Sequence, residues 1–227
     1  MSVLKPVTGK RPKLIGTDLD GTIVAHYGFI SERTKIAFTA AHEAGIHIYF
    51  VTGRPIRWMS EIKENFNFGT GICANGAMLY DFINQKVLEQ WLFSVENQLE
   101  TVKRLREVIP LVNFAVEIDE QFHREKDYLA RWDIGIDNVG VNKIEEVINK
   151  PALKMLARCG DASMSSDEMM SAATKALVGI ATVTHSNSTD SLLEISADGV
   201  SKGATLSKIA ARHGLTAEDC VTFGDNP

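Results

Sequence analysis

Lys13-Leu14-Ile15-Gly16-Thr17-Asp18-Leu19-Asp20-Gly21-Thr22 is the stretch on which the fold turns. It reads as a short buried strand that ends in two carboxylates separated by one residue. A strand has period two, so in extended backbone Asp18 and Asp20 project from one face. Gly21 then lets the chain turn sharply. Acids at the carboxyl end of an α/β strand stand where such folds bind ligands. There they can hold a divalent metal or divide nucleophilic and acid–base work. Asp-Gly is also an ordinary turn dipeptide, so this stretch alone leaves both readings open.

Outward from it, strands and helices alternate. Ser31 is a candidate cap for a helix with Ile36, Ala37, Ala40, Ala41 and Ala44 on one stripe, stopped by Gly45. Ile46 to Val51 is a continuous apolar run, as a strand covered on both faces should be. Pro55 suits the first turn of the next helix, where Ile56, Met59, Ile62 and Phe66 recur at helical spacing. Gly71 to Tyr80 returns to strand. This order implies right-handed crossovers and a parallel sheet, hence an α/β fold.

The middle of the chain reads differently. Val87 to Phe93 suits a strand, and Leu99, Val102, Leu105 and Val108 form one helix face ended by Pro110. Asn113 to Ile118, Leu153 to Ala157, Ala181 to His185 and Leu192 to Ile195 read as strands. Ser165 and Glu168 fit a capping box. His123-Arg124-Glu125-Lys126-Asp127 reads as a solvated loop, and Trp91 and Trp132 as packing residues. Ser201 then opens a helix closed by Gly214, and Cys220 to Phe223 returns to the first sheet. The predicted architecture is a Rossmann-like parallel-sheet core, residues 1–82 and 196–227, with an inserted α+β domain at 83–195.

Four motifs in order carry a resemblance. Asp18-Leu19-Asp20-Gly21-Thr22 follows the first strand, and Thr52-Gly53-Arg54 ends the second. Ser201-Lys202-Gly203 opens a helix, and Gly224-Asp225-Asn226 ends the last strand. Ala74-Asn75-Gly76-Ala77 lies between the second and third. In these residues the chain resembles the haloacid dehalogenase superfamily, in its Cof-type branch (subclass IIB). That resemblance implies the superfamily fold with a type 2 cap acting as a lid. It further implies a magnesium-dependent phosphomonoester hydrolase acting through an aspartyl phosphate on a small soluble phosphate such as a sugar phosphate.

By the same resemblance Asp18 is the nucleophile and Asp20 the acid and base. Thr52, Gly53 and Lys202 bind the substrate phosphate, and the Asp18 carboxylate, Asp20 carbonyl and Asp225 carboxylate hold Mg2+. Arg54 faces substrate or pairs with an acid; Asn75 serves the hinge backbone or the rim of the site. His123, Arg124 and Lys126 are candidates for contact with the rest of the substrate. An acid at Asp20 points to a phosphatase or a phosphomutase. Family members continue past Gly-Asp into an Asn-Asp pair, so the sequence reads as a fragment. A non-catalytic phosphate-binding module is the alternative if that length is natural.

Composition bounds the partners. A chain of 227 residues with net charge −5 has no electrostatic footprint for nucleic acid. No apolar run approaches the roughly 20 residues that span a bilayer. The three cysteines lack disulfide or zinc spacing, and no signal peptide precedes the first strand, so a reduced, cytoplasmic protein is expected. His42 and His47 miss the zincin spacing by one residue, and Gly45 ends the helix that would carry both.

Overall fold

The computed structural model describes residues 9–25, 28–130 and 137–225. Trp132 and Asn226 lie outside them. Two sheets organise the chain. The first contains β1 (Leu14–Asp18), β2 (His47–Val51), β3 (Thr70–Cys73), β4 (Met78–Asp81), β5 (Lys86–Gln90) and β11 (Cys220–Phe223), in the order β11-β1-β2-β3-β4-β5. The four strands β11, β1, β2 and β3 are parallel; β4 and β5 run against their neighbours. The protein is of the α/β class.

Helices α1 (Glu32–Glu43) and α2 (Ser60–Asn65) belong to one face of this sheet and α5 (Lys202–Arg212) to the other. The apolar run of β2 explains both faces. Ile48 and Phe50 enter a core with Phe38, Ile62 and Phe66, while Tyr49 and Val51 pack with Leu14, Ile72 and Ile209. Phe50 is fully buried and stacks on Phe66, ring centroids 5.0 Å apart. Full burial of such side chains contributes about 1.5–3 kcal/mol each.

The second sheet is antiparallel throughout. It comprises β6 (Val112–Ile118), β7 (Gln121–Arg124), β8 (Lys154–Cys159), β9 (Ala181–Thr184) and β10 (Leu192–Ala197), in the order β7-β6-β8-β10-β9. Helices α3 (Val95–Val108) and α4 (Ser166–Ala176) cover one face, burying Val102, Leu105, Met169 and Ala173 against Met155 and Ala157. Ser165 caps α4 in the expected box: its hydroxyl accepts from the Glu168 amide at 3.2 Å, and Glu168 Oε2 accepts from the Ser165 amide at 2.8 Å. The opposite face of the sheet turns Glu117, Lys154 and Glu194 toward the first sheet.

Several local expectations change. In α1 only Phe38 is buried, while Ile36, Ala37, Ala40 and Ala44 are exposed. The helix uses one large ring to fill the gap over Phe50; of the alanine stripe only Ala41 packs partly against that core, and the other alanines face water. In α3 the buried face is Gln98, Thr101, Val102 and Leu105, with Leu99 and Val108 at its exposed margin. Gln98 tolerates burial because its amide nitrogen donates to the Phe93 and Lys150 carbonyl oxygens, at 2.8 and 3.0 Å. Lys86–Gln90, assigned by the sequence to the inserted part, pairs with β4 in the first sheet. The Asp81 carboxylate accepts from the Ile83 and Asn84 amides and so makes the tight turn that returns the chain there. Gly71 to Tyr80 is two antiparallel strands broken by a 3-10 turn at Ala74–Gly76.

The charged stretch at 123–127 also departs from a solvated loop. Gln121–Arg124 is an edge strand, and the Arg124 guanidinium donates to the carbonyl oxygens of Glu125, Lys126 and Asn138. Lys126 donates to Asn142. With His123, both lie away from the clefts that contain Asp18. Arg106 of α3 pairs with Glu125 and Glu145. His42 stacks on Phe68 and His47 on His213, so neither ring is arranged as a metal ligand pair. Among the described residues no helix is long and apolar enough to cross a membrane.

Candidate active site

The parallel strands β1, β2, β3 and β11 all end on one edge of the first sheet, and the second sheet stands over it. Two adjoining clefts of 590 and 360 Å³ occupy the space between, sharing Asp18, Lys202, Glu194, Ser186 and Asp225. This is the crevice at strand carboxyl ends where α/β sheets bind ligands.

Asp18 is the last residue of β1, and its side chain is 17% exposed. Lys202 Nζ donates to Asp18 Oδ1 at 2.8 Å. The lysine can reach because it opens α5, whose Ser201 cap accepts from the Ala204 amide at 3.1 Å. The free amides and dipole at that helix start favour an anion in the same place. Asp20 lies just past the strand end, bridged to Val24. Its carboxylate is paired with the Arg54 guanidinium, including Nε to Oδ2 at 2.9 Å. Arg54 also reaches Glu61 at 3.3 Å, and the hydrogen bond it donates to Asp20 is the main cause of its raised pKa. Of the two roles open to Arg54, pairing with an acid is the one present.

Asp225 lines both clefts beside Asp18. Gly21, at φ +76°, has no room for a Cβ: the Asp225 carboxylate occupies that position. The acid therefore rests on the backbone that follows Asp20. Two carboxylates and an adjacent backbone carbonyl are hard oxygen donors of the kind magnesium selects, with water completing the octahedron. Among the described residues no cluster of three metal-ligating side chains exists.

The second strand end supplies Thr52, Gly53 and Arg54. Thr52 is 1% exposed and outside the cleft linings; its hydroxyl oxygen accepts from the Arg54 amide at 3.1 Å. It shapes the loop more than it faces the cleft. A Cβ on Gly53 would lie 2.8 Å from Asn75 Oδ1, so the loop and the Ala74–Gly76 turn pack backbone to side chain. Asn75 is buried with φ +57° and lines the larger cleft. Its side-chain amide completes no well-aligned hydrogen bond but lies close enough to the Glu194 carboxylate to help hold that acid's pKa down. That leaves an amide already desolvated at the rim.

Sequence reasoning missed the residues that the second sheet contributes. Lys154 Nζ donates to the Gly53 carbonyl oxygen and to Glu194 Oε1, both at 2.9 Å. Their side chains are only 7% and 13% exposed. Burial drives the Glu194 carboxyl upward, but the Lys154 charge and its hydrogen bond outweigh this and leave it at about 2. The Ser186 hydroxyl donates to Glu194 Oε2 at 3.1 Å. Nearby, Arg57 forks onto Glu117 at 2.7 and 2.8 Å, a second link between the sheets. His185 lines the larger cleft with its Nε2 against Asp167 at 2.8 Å. A signal for Lys154 exists in the sequence: a lysine at alternate spacing within Leu153-Lys154-Met155-Leu156-Ala157 must face a partner if that strand is buried.

The sequence pattern of the haloacid dehalogenase-like hydrolases matches residues 15–227. A 5-amino-6-(5-phospho-D-ribitylamino)uracil phosphatase of Bacillus subtilis is 22% identical over 94% of this chain and 77% of its own length. A haloacid dehalogenase superfamily phosphatase from Bacteroides thetaiotaomicron superposes with a TM-score of 0.73 at 19% identity, over 98% of this chain and 80% of that one. A subclass IIB sugar phosphatase superposes with a TM-score of 0.70 at 20% identity, over 94% and 81% of the two chains.

Proposed function

This chain belongs to the haloacid dehalogenase-like hydrolase family, and from that premise we propose that it is a magnesium-dependent, cytoplasmic phosphomonoester hydrolase with Asp18 as nucleophile. The observation that carries the reading is the Lys202 ammonium 2.8 Å from the Asp18 carboxylate at the strand-end crevice. A carboxylate approaching a phosphate dianion is repelled, and a fixed cation with a helix start behind it offsets that repulsion. The phosphatase names among the relatives support the reaction class.

In the first step an Asp18 oxygen attacks phosphorus, the bond to the leaving oxygen breaks, and Asp20, which enters the step as the carboxylic acid, gives that oxygen its proton and is left as the carboxylate. In the second, Asp20 takes a proton from water as the water attacks the aspartyl phosphate, releasing phosphate and restoring Asp18. Lys202 and the Gly53 amide orient the phosphoryl oxygens throughout. Arg54 holds Asp20 at the cleft until substrate phosphate competes for the guanidinium. Asp18, Asp225 and the Asp20 carbonyl would hold Mg2+, which when bound neutralises charge on the transferring group.

The segment between β5 and α5 serves as the cap, and its Lys154, Glu194 and Ser186 meet the leaving group. An ammonium, a carboxylate and a hydroxyl together suit the hydroxyls of a sugar or polyol phosphate, such as the ribityl and sugar phosphates of the relatives' names. The decisive experiment is magnesium-dependent phosphate release from p-nitrophenyl phosphate by the protein and by Asp18→Asn. The expected result is release that needs both the metal and Asp18, with an unchanged circular dichroism spectrum in the variant. Retained turnover in Asp18→Asn would remove the nucleophile assignment.

A further inference from the structure

The cleft-facing side of the second sheet carries a buried charge that the mechanism leaves unused. Lys154, Leu156 and Arg158 alternate along β8 and share one face. Leu156 lines the cleft with Asp18, as does Leu192, which stands opposite Arg158 in the β8–β10 ladder. Arg158 is 5% exposed. Its Nη1 donates to the Asp190 carbonyl oxygen at 2.7 Å, while Nε and Nη2 are buried and complete no hydrogen bond among the described residues. The guanidinium lies 5.8 Å from the ring centroid of Tyr128. Tyr128 is 1% exposed and clusters with Leu156 and Ala115; its hydroxyl completes no well-aligned hydrogen bond but faces the Arg158 guanidinium closely enough to interact with it.

A buried guanidinium with two unfilled nitrogens is strongly unfavourable unless oxygen acceptors complete it. Its planar fork matches a carboxylate or phosphate held by two parallel hydrogen bonds. We propose that Arg158 and Tyr128 form a second anion subsite, at the end of the substrate cleft remote from Asp18, for a carboxylate or second phosphate on the far end of the phosphoester. The proposal rests on the phosphomonoesterase reading and narrows its substrate class to doubly anionic esters. Arg158 is four residues beyond Lys154, roughly 13 Å along the strand, and its side chain reaches back over part of that. Burial pushes the Tyr128 hydroxyl up to about 12, so it serves there as a neutral donor. Leu192, half-buried in the cleft wall, is the side chain that turns aside for the ligand.

The test measures binding without turnover, by titration calorimetry on Asp18→Asn. The probes are 6-phosphogluconate and fructose 1,6-bisphosphate, with glucose 6-phosphate as the neutral-tailed control. The anion-bearing probes should bind about ten- to a hundredfold more tightly than the control. Adding Arg158→Gln should erase that preference and leave glucose 6-phosphate binding unchanged; Arg158→Lys should restore part of it. Tyr128→Phe, which removes only the hydroxyl, should reduce the preference a few-fold and decides the matter if Arg158→Gln fails to fold. Equal binding of all three probes overturns the subsite, as does an equal loss across them in Arg158→Gln or an unchanged preference in Tyr128→Phe. Because turnover is not read, a failure of Asp18-dependent phosphate release counts against the enzymatic reading and leaves this result distinct.

Discussion

Replacing Lys154 with methionine tests how firmly the second sheet is tied to the strand-end loop. The change keeps much of the side-chain volume but removes the charge beside Glu194 and the donor to the Gly53 carbonyl oxygen. With the two side chains 7% and 13% exposed, solvent cannot replace what is lost. Glu194 falls from 4.5 in the unfolded chain to about 2 in the folded one. A depressed carboxyl contributes stability above the unfolded pKa and loses it as pH falls through the folded value. The difference corresponds to about 3 kcal/mol at neutral pH. Breaking a buried pair from one side costs a similar amount, about 3–5 kcal/mol.

Urea unfolding of both proteins, followed by circular dichroism at pH 7 and pH 4, gives the comparison. Lys154→Met should lose about 3 kcal/mol at pH 7. Without the lysine, burial is the largest influence left on Glu194, opposed only by the Ser186 and Asn75 hydrogen bonds, and it raises the carboxyl, so protonation relieves the variant and the deficit shrinks toward pH 4. Combining Lys154→Met with Glu194→Leu should recover most of the loss. A deficit under about 1 kcal/mol, equal at both pH values, is what an exposed pair gives and would refute the reasoning.

Two further changes separate residues that look alike in the sequence. Gly76→Ala should destabilise by about 3 kcal/mol in the same assay, because φ is +102° and a Cβ there would overlap the Ser201 carbonyl oxygen. Ile36→Lys should change stability by less than about 0.5 kcal/mol, since Ile36 is 68% exposed; a large loss would restore the alanine stripe as a buried face.

What the sequence made legible follows from how locally each feature is determined. The first sheet was readable because β2 is apolar and buried from Ile48 to Val51, as double coverage demands, and because Gly21 and Ser201 punctuate strand and helix at the needed residues. Asp18, Asp20, Lys202 and Asp225 stand together at the cleft, as their positions at strand ends and a helix start implied. The face of α1 was not legible: four alanines and an isoleucine outnumber one phenylalanine in any count, yet the ring fills the space and the alanines do not. The β4–β5 hairpin was hidden because its turn is set by the Asp81 carboxylate and not by glycine or proline. The contributions of Lys154, Glu194 and Arg57 required knowing which face of the second sheet looks inward. A strand's alternation gives two faces but not their orientation.

The Asp18–Lys202 contact joins residues 184 positions apart. Asp18 therefore lacks this partner until the chain has been made through the first turn of α5. Between β5 and α5 lie about 110 residues whose closure as a flexible loop would cost about 4 kcal/mol. The antiparallel second sheet forms within that segment, and the Phe93–Ala152 bridge draws its beginning toward its middle. If it collapses first, the effective loop shortens to roughly ten residues and about half of that entropy is already spent. The order of assembly is then built into the chain: the insertion folds on its own contacts and, by doing so, brings β11 and α5 within reach of the strand that has been waiting since the start.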